Sequence, residues 1–576
     1  MGGFIFCKKN KSTMWIEKHL EKALQVFDKR GLSLNKKIER KEFCIFVFSK
    51  KFYNIKNTVV IDNDNFIVCA GTFFYEDRTG PGILVHLHND IWNGRSFIDK
   101  IAGNYCIITY HNGELRVFRD YFGYYPVYCN EDHTALSSSL LAIAHLTSSL
   151  NIASQELYEY LFNGYFYDEN TLFKEIKLLK EGVVHNLLPS HSTYVFKPVF
   201  DKLNPGMNFR QATKKVTDNL LEYFSLLSSA FSEQIQTAIS GGYDSRLILA
   251  CLLNLGLKPR LYVNGTPNSP DIKCALNIAQ GLDLPLDVIY FYEYYDIIKS
   301  DYEKKISERF YIFDGLGASG VFDNYSDIEY RLLFPNSGVV LLNGAGGEIY
   351  REAWNLPNRK MKIDDYIKGR YDKFDHDFCR PPFTKKIYYN QLKQKISQHL
   401  PKSNGWIARN EIELLHPLRY KAAHFIFTVL QQLNCFLMPF LEPRFVLQSY
   451  DIPIKWKHYG DFQSALVKRI YPELAKFNSI YGYNFSKPVP FKFKVKETIL
   501  RNTPLTWRPK LRNYRKSRKL PVHKFGFNIL EDAYLKKLFD FDQLKIDEFL
   551  DIKKISNSAI LSRSLSVELL LRELEK

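Results

Sequence analysis

The stretch QTAISGGYDSRLILACLL, residues 236–253, constrains the chain more than any other. An apolar run, IQTAI, meets Ser240-Gly241-Gly242, then Asp244-Ser245, then a leucine-rich run ending near Gly256. A short apolar run followed by glycines and a helical pattern predicts a buried strand that turns sharply into a helix. Glycines at such a turn let backbone N–H groups approach a ligand closely. The N–H groups at a helix start favour an anion, and the hydroxyls of Ser240 and Ser245 would add donors. Asp244 would repel a bare phosphate, so it makes sense there only with a cation. Mg²⁺ bridging carboxylate and phosphate oxygens is the expectation. The plainer alternative is a Gly-rich turn in which Asp244 caps the helix.

Around this turn the chain has three textures. Residues 1 to about 200 carry short β-like runs such as FCIFVFS, NFIVCAGTFFY and NYCIITYHNGELRVFRD. Asn112-Gly113 sits between two of them and predicts a hairpin turn. From about 205 to 345, helical stretches alternate with IQTAI, PRLYVN, LDVIYF and GVVLLN. That alternation predicts βαβ units and a parallel sheet, hence an α/β fold. From about 350 onward helices dominate. With 576 residues, more than one domain is expected.

Composition narrows the class. The chain is 45% hydrophobic and 15% aromatic, ample for sizeable cores and against disorder. Nine cysteines without a C-x-x-C pair point to reduced thiols and a cytoplasmic protein, not a disulfide frame or a zinc site. No apolar run reaches the roughly 18 residues of a membrane span. The start MGGFIFCKKN matches neither a secretory signal nor a myristoylation site. His86 and His88 in VHLHND, read as a strand, are expected to be structural. The net charge of +17 concentrates in residues 487–524, where Glu497 is the one acid. That segment, with Trp507 and Tyr514 interleaved, reads either as a solvated surface or as a contact for an anionic partner. Two phosphate motifs are excluded: no G-x-x-x-x-G-K-S/T occurs, and GAGGEIYR (344–351) has Ile349 where G-x-G-x-x-G needs glycine.

The S-G-G-x-D-S turn resembles the pyrophosphate loop of the ATP pyrophosphatase superfamily. VNGTPNSPDIKCALNIAQGLDLPLDVI (263–289) is similar to an asparagine synthetase segment, with Gly265, Ser269, Pro270 and Asp271 where that family has them. NGAGGEIY (343–350) resembles the family's S-G-E-G-A-D-E loop, and MPFLEPRFVLQSYDIP (438–453) its P-F-L-D-R-R-L-V-E segment. LSRSLSVELLLREL resembles its last helix. FIDKIAGNYCIITYHNGELRVFRDYFGYYPVYC (97–129) looks like its glutaminase domain, and LYEYLFNGYFYDENTLFKEIKLLKEG (157–182) like the linker between its two domains. The resemblance spans most of the chain in the right order. It implies an α+β Ntn-hydrolase-like sandwich over residues 1–200. Over 205–576 it implies an α/β parallel-sheet ATP pyrophosphatase domain with added helices and the basic segment 487–524.

The resemblance also implies a site. Ser240, Gly241, Gly242, Asp244, Ser245, Gly265 and Gly346 would bind ATP. Asp244 and Glu348 would hold Mg²⁺, Glu348 standing where the family has aspartate. A lysine would counter the departing pyrophosphate, with Lys487 expected and Lys468 and Arg469 less favoured. Arg246 would contact phosphate or face outward from the first helical turn. Two departures shape the expected activity. Active glutaminases of the family start Met-Cys-Gly, whereas this chain starts Met1-Gly2-Gly3, and Cys7 lacks the α-amine that assists such a nucleophile. The family's R-G-P-D stretch is missing, and Ala70-Gly71-Thr72 replaces its N-G-E turn. Ala345 stands where asparagine synthetases have Glu and β-lactam synthetases Tyr. The expected activity is therefore an AMP-forming, amide-forming ligase without glutamine hydrolysis, like β-lactam synthetases and lasso-peptide cyclases. Its place would be in specialised metabolite, peptide or polysaccharide modification. The expected partner is a small molecule or peptide bearing carboxylate and amine. Nucleic acid is not expected, and homodimeric assembly is kept open. The alternatives are a degenerate binding or scaffold protein and an adenylating nucleic-acid-modifying enzyme.

Overall fold

The computed structural model describes residues 2–9, 14–52, 55–195, 200–231, 235–290, 302–322, 340–352, 354–372, 376–401, 404–422, 424–508 and 533–576. In the N-terminal strands, successive side chains enter different apolar layers, as the two-residue period of a strand requires. In β1 (Gly3–Lys8), Phe4 and Phe6 face one layer, and Ile5 and Cys7 another. In β5 (Asn65–Tyr75), Phe66 and Val68 join the same layer as Phe4, while Ile67 and Cys69 point the other way. Two antiparallel sheets thus pack face to face. One runs β10 (Ile176–Leu178), β8 (Tyr128–Asn130), β9 (Ala135–Ser137), β1, β3 (Phe43–Phe48), β2 (Leu34–Glu39). The other runs β12 (Ser192–Val195), β11 (Val183–Leu188), β7 (Glu114–Arg119), β6 (Ile101–His111), β5, β4 (Thr58–Val60).

Helices cover both outer faces. Met14–Lys29, Leu140–His145, Ser154–Asn163 and the C-terminal Ser558–Glu575 pack in the layer outside the first sheet. Pro81–Trp92 packs outside the second. The result is a four-layer αββα sandwich. Asn112 and Gly113 form the β6–β7 turn at φ 47° and 92°, the left-handed values that a two-residue hairpin loop needs. The strand expected around His86 and His88 is instead this helix, because Ile83, Leu84, Leu87, His88 and Ile91 bury one face at helical spacing and a proline opens its first turn.

The second sheet system is parallel throughout, in the order β15 (Leu286–Tyr290), β14 (Arg260–Gly265), β13 (Ile235–Ala238), β16 (Val340–Leu342), β19 (Cys435–Leu437). A small ladder joins β17 (Met361–Lys362) to β18 (Trp406–Ile407). The parallel sheet is buried on both faces, as such sheets must be. One face meets the helices Phe209–Phe231, Tyr243–Asn254, Pro270–Gly281 and Asp461–Ile470. On the other, Tyr262, Leu341 and Phe436 pack against Phe122 and Tyr124 of the N-terminal half.

A polar seam fixes that contact. The fully buried Lys50 amine donates to the Gln431 carbonyl (2.6 Å), the Asn434 carbonyl (2.9 Å), Gln431 Oε1 (3.2 Å) and Thr72 Oγ1 (3.2 Å). Thr72 Oγ1 accepts from the Phe436 N–H at 3.1 Å, so β5 is tied to β19. Burial pushes the Lys50 amine down to about 8.

All nine cysteines are unpaired. Among the described residues no helix is long and apolar enough to cross a membrane. The basic segment begins with the helix Phe491–Asn502, and Trp507 is exposed. Its remainder from residue 509, including Tyr514, lies outside the described residues.

Candidate active site

An open parallel sheet binds ligands beyond the carboxyl ends of its strands, where strand order reverses. Here β13 comes first in the chain, β14 and β15 add on one side, and β16 and β19 on the other. The reversal falls between β13 and β16. The loops leaving those two strands are the Ser240–Tyr243 turn and Asn343–Gly347.

The two loops touch because side chains are missing. A Cβ on Gly347 would stand 2.6 Å from Asp244 Oδ1, and one on Gly344 would stand 3.0 Å from the Ser245 nitrogen. Gly346 holds φ +91°, a left-handed value that suits glycine. Glu348, in the 3₁₀ turn Gly347–Tyr350, is thereby carried up to the loop that holds Asp244.

Within the first turn, Ser245 Oγ accepts from the Ser240 N–H at 3.0 Å, and Asp271 Oδ1 from the Gly241 N–H at 2.9 Å. Asp271 stands in the first turn of the helix Pro270–Gly281, which Ser269 caps. Gly265 ends β14, where a Cβ would lie 2.9 Å from Ser269 Oγ. A Cβ on Gly241 would meet Ile480 Cγ2 at 2.2 Å, so this glycine serves packing as well as any ligand. The helix Tyr243–Asn254 starts at Gly242 with no side-chain cap. Among the described residues its first-turn N–H groups have no side-chain acceptor, the arrangement that receives an anion.

Both carboxylates expected at the site carry guanidinium partners. Arg351 Nη2 donates to Asp244 Oδ2 at 2.9 Å, and Gln463 Nε2 donates to Oδ1 at 2.8 Å. Glu348 is buried and pairs with Arg419 Nη1 at 3.1 Å. Two hard oxygen donors beside an uncapped helix start fit Mg²⁺ with a phosphate group, and Asp244 and Glu348 are the residues that would hold the ion.

Arg246 is fully buried instead of facing outward. It donates to the carbonyls of Phe477 (2.8 Å) and Asn478, which seats the 477–485 segment under the turn. Lys487 is exposed, and Lys468 donates to the neighbouring Ser486 carbonyl at 2.9 Å. Arg469 is exposed. The sequence reading missed Arg351, whose signal was its spacing of three from Glu348, and Gln463, which carried none. Ala345 is half-buried against the Tyr124 cluster and brings only a methyl group.

At the other end of the chain, the Gly2 N–H donates to the Phe48 carbonyl at 2.9 Å, and a Cβ there would stand 2.6 Å from the Ser49 carbonyl oxygen. Cys7 is buried opposite Cys44, and the hydrogen bond its thiol gives to the Cys44 sulfur, with burial, pushes its pKa well up. Such a thiol is a poor nucleophile.

Residues 74–195 match the family described as glutamine amidotransferase domain. A Methanocaldococcus jannaschii protein named "Putative asparagine synthetase (glutamine-hydrolyzing) 1" is 23% identical over 527 residues, covering 86% of this chain and 83% of that protein. Over most of its length the chain is thus similar to a protein named as an asparagine synthetase. Among solved structures, the chain is similar to the B. subtilis glutamine phosphoribosylpyrophosphate amidotransferase complexed with ADP and GMP. The TM-score is 0.20 and the identity 11%, over 50% of this chain and 65% of that one, less than two thirds of its length. The glutamine-dependent NAD⁺ synthetase of Acinetobacter baumannii, in complex with ADP, gives a TM-score of 0.15 at 11% identity, over 33% and 39%.

Proposed function

We propose that the chain is an AMP-forming carbon–nitrogen ligase that joins a carboxylate to an amine without hydrolysing glutamine. The observation that carries this reading is the meeting of Asp244 with the Gly344–Glu348 loop at the point where the parallel sheet reverses its order. In the proposed reaction a substrate carboxylate oxygen attacks the α-phosphorus of ATP, and the bond to the β-phosphate breaks to release pyrophosphate. An amine, or ammonia, then attacks the acyl-AMP carbonyl, and AMP leaves with the C–O electron pair.

Bound Mg²⁺ would neutralise phosphate oxygens as charge moves onto the leaving pyrophosphate. Asp244 and Glu348 would hold it. The uncapped start of the helix Tyr243–Asn254 orients phosphate, and Arg351 is the cation at hand for the departing group. Ala345 cannot accept a proton, so the amine loses its proton to solvent or to the leaving phosphate. Gly2 has no nucleophile, and Cys7 is buried with a raised thiol pKa, which supports a sandwich without glutaminase work.

The test is AMP and pyrophosphate release by the pure protein with Mg²⁺·ATP and hydroxylamine, across a panel of carboxylates. Glutamate release from glutamine is followed in parallel. Carboxylate-dependent AMP formation without glutamate supports the reading. Steady glutamate release overturns the second half of it. Failure to bind Mg²⁺·ATP at all would favour a scaffold protein, which Ala345 alone already hints at.

A further inference from the structure

Far along the sequence from the ATP loop, three histidines of the sandwich converge. His133 lies in the turn between β8 and β9, His185 on β11, and His191 at the start of the turn into β12. One ring nitrogen from each lies within 4.8 Å of the other two. The His133 and His191 rings stack at 4.2 Å, and His185 lies 6.3 and 5.9 Å from them.

The decisive group is His185, which is 3% exposed. Its Nε2 lies 3.0 Å from the Lys180 carbonyl oxygen. A carbonyl only accepts, so Nε2 carries the proton and Nδ1 is left with a bare lone pair. That Nδ1 is buried and has no hydrogen-bond partner among the described residues. A buried acceptor without a donor is costly, so such a group calls for an explanation. A histidine whose other nitrogen is fixed by a backbone carbonyl is the usual posture of a metal ligand.

The neighbours are braced for the same purpose. His133 holds φ +54°, uncommon for a residue with a side chain. Its turn is fixed by Asp132 Oδ1, which accepts from the Thr134 N–H and hydroxyl at 3.1 and 2.7 Å. Asn186 Nδ2 donates to Ser192 Oγ at 2.8 Å and closes the hairpin that carries His191. Burial lowers all three imidazoles, His185 to about 4. The nearby ammonium of Lys8 faces Asp132. Ligand nitrogens on a tetrahedral ion stand roughly 3.3 Å apart at metal–nitrogen bonds of about 2.0–2.1 Å. A rotation of the exposed His191 ring is the movement available to close the set.

We propose that His133, His185 and His191 bind one divalent transition-metal ion of the zinc class, with solvent at the fourth position. Imidazole ligands suit zinc, copper and nickel and not magnesium, so this site and the carboxylate pair would take different ions. The ion would clasp the β11–β12 hairpin to the β8–β9 turn.

The test uses the full chain, stripped with chelator and held in excess Mg²⁺ so that hard carboxylate sites are filled. Titration with Zn²⁺ should show one tight site and a rise in melting temperature. Titration with Co²⁺ should show the intense visible bands of a four-coordinate ion. His191→Ala, a change at an exposed position, and His133→Gln should each weaken binding at least tenfold and remove both signals. Their metal-free melting temperatures should match wild type. If both variants bind Zn²⁺ and Co²⁺ as wild type does, or if wild type binds neither at micromolar concentration, the assignment is wrong.

Discussion

Replacing Asp244 with asparagine separates a metal-holding carboxylate from a residue that merely begins a helix. The signs of the effect differ with and without Mg²⁺. A unit charge about 4 Å from a phosphate charge is worth on the order of 4 kcal/mol at an effective dielectric of ~20. The Asp244 side chain is 25% exposed, so solvent screening reduces this. A remaining effect of about 1.4 kcal/mol is tenfold in affinity. With Mg²⁺, Asp244→Asn should therefore weaken binding of a non-hydrolysable ATP analogue at least tenfold. In EDTA it should bind equally well or more tightly, because a repulsive charge has gone. The fold should survive, since asparagine keeps an oxygen for Gln463 and Arg351. The weakened Arg351 bond costs on the order of 1 kcal/mol, a shift of a few degrees at most in a chain of this size. Calorimetric titration in the two buffers, with a thermal melt of each protein, reads all of this. Equal losses in both buffers would reduce Asp244 to a positioning role. No loss in Mg²⁺ would remove the metal assignment.

Gly347→Ala places a methyl carbon 2.6 Å from Asp244 Oδ1 and should cost at least tenfold in Mg²⁺·ATP affinity by the same titration. The control Gly82→Ala, on a helix with open space around it, should leave affinity unchanged and raise stability by about 0.5–1 kcal/mol. Gly2→Cys should lower the melting temperature, at a cost of about 1–3 kcal/mol for overpacking against the Ser49 carbonyl, and should release no glutamate from glutamine. Glu442 is buried, and burial pushes its carboxyl up to about 8, although it accepts from the Gly103 N–H at 2.9 Å. The folded state then favours the protonated acid. Stability is fully present below the unfolded value near 4.3 and falls by up to about 1.4 kcal/mol per pH unit as pH rises toward 8. Glu442→Gln should flatten that slope in denaturant titrations between pH 5 and 8, and an unchanged slope would refute the cause.

The strands were legible where local pattern decides them. FCIFVFS and NFIVCAGTFFY are apolar enough to be buried on both faces, and the Asn112-Gly113 turn needs only its own two residues. The order of the parallel sheet was not legible, because β16 and β19 are three-residue strands that pair across about ninety residues of chain. Half of the site was legible for the same local reason. Asp244 and the glycines sit in one turn, whereas Gln463 reaches Asp244 from a helix more than two hundred residues away. Arg246 misled because a residue beside a turn looks like a turn residue. Its helix packs so tightly against the 477–485 segment that its guanidinium is swallowed. His86 and His88 misled because alternation over four residues fits a strand and a buried helix equally well. The three histidines at 133, 185 and 191 form no motif at all, since only the sheet brings them together.

Lys50 and Thr72 have a consequence for heredity. If the sandwich has no hydrolytic work, a lineage carrying it could be expected to shed its first two hundred residues as dead weight. It cannot do so cheaply, because Phe122 and Tyr124 are the lining of one face of the parallel sheet. The Lys50 amine satisfies the Gln431 and Asn434 carbonyls, and Thr72 satisfies the Phe436 N–H, all beside β19. Deleting the sandwich would strip an apolar wall and strand those polar groups within one strand of the Asn343–Gly347 loop. A domain without hydrolytic work of its own would thus persist as masonry, free to drift toward other uses but not free to leave.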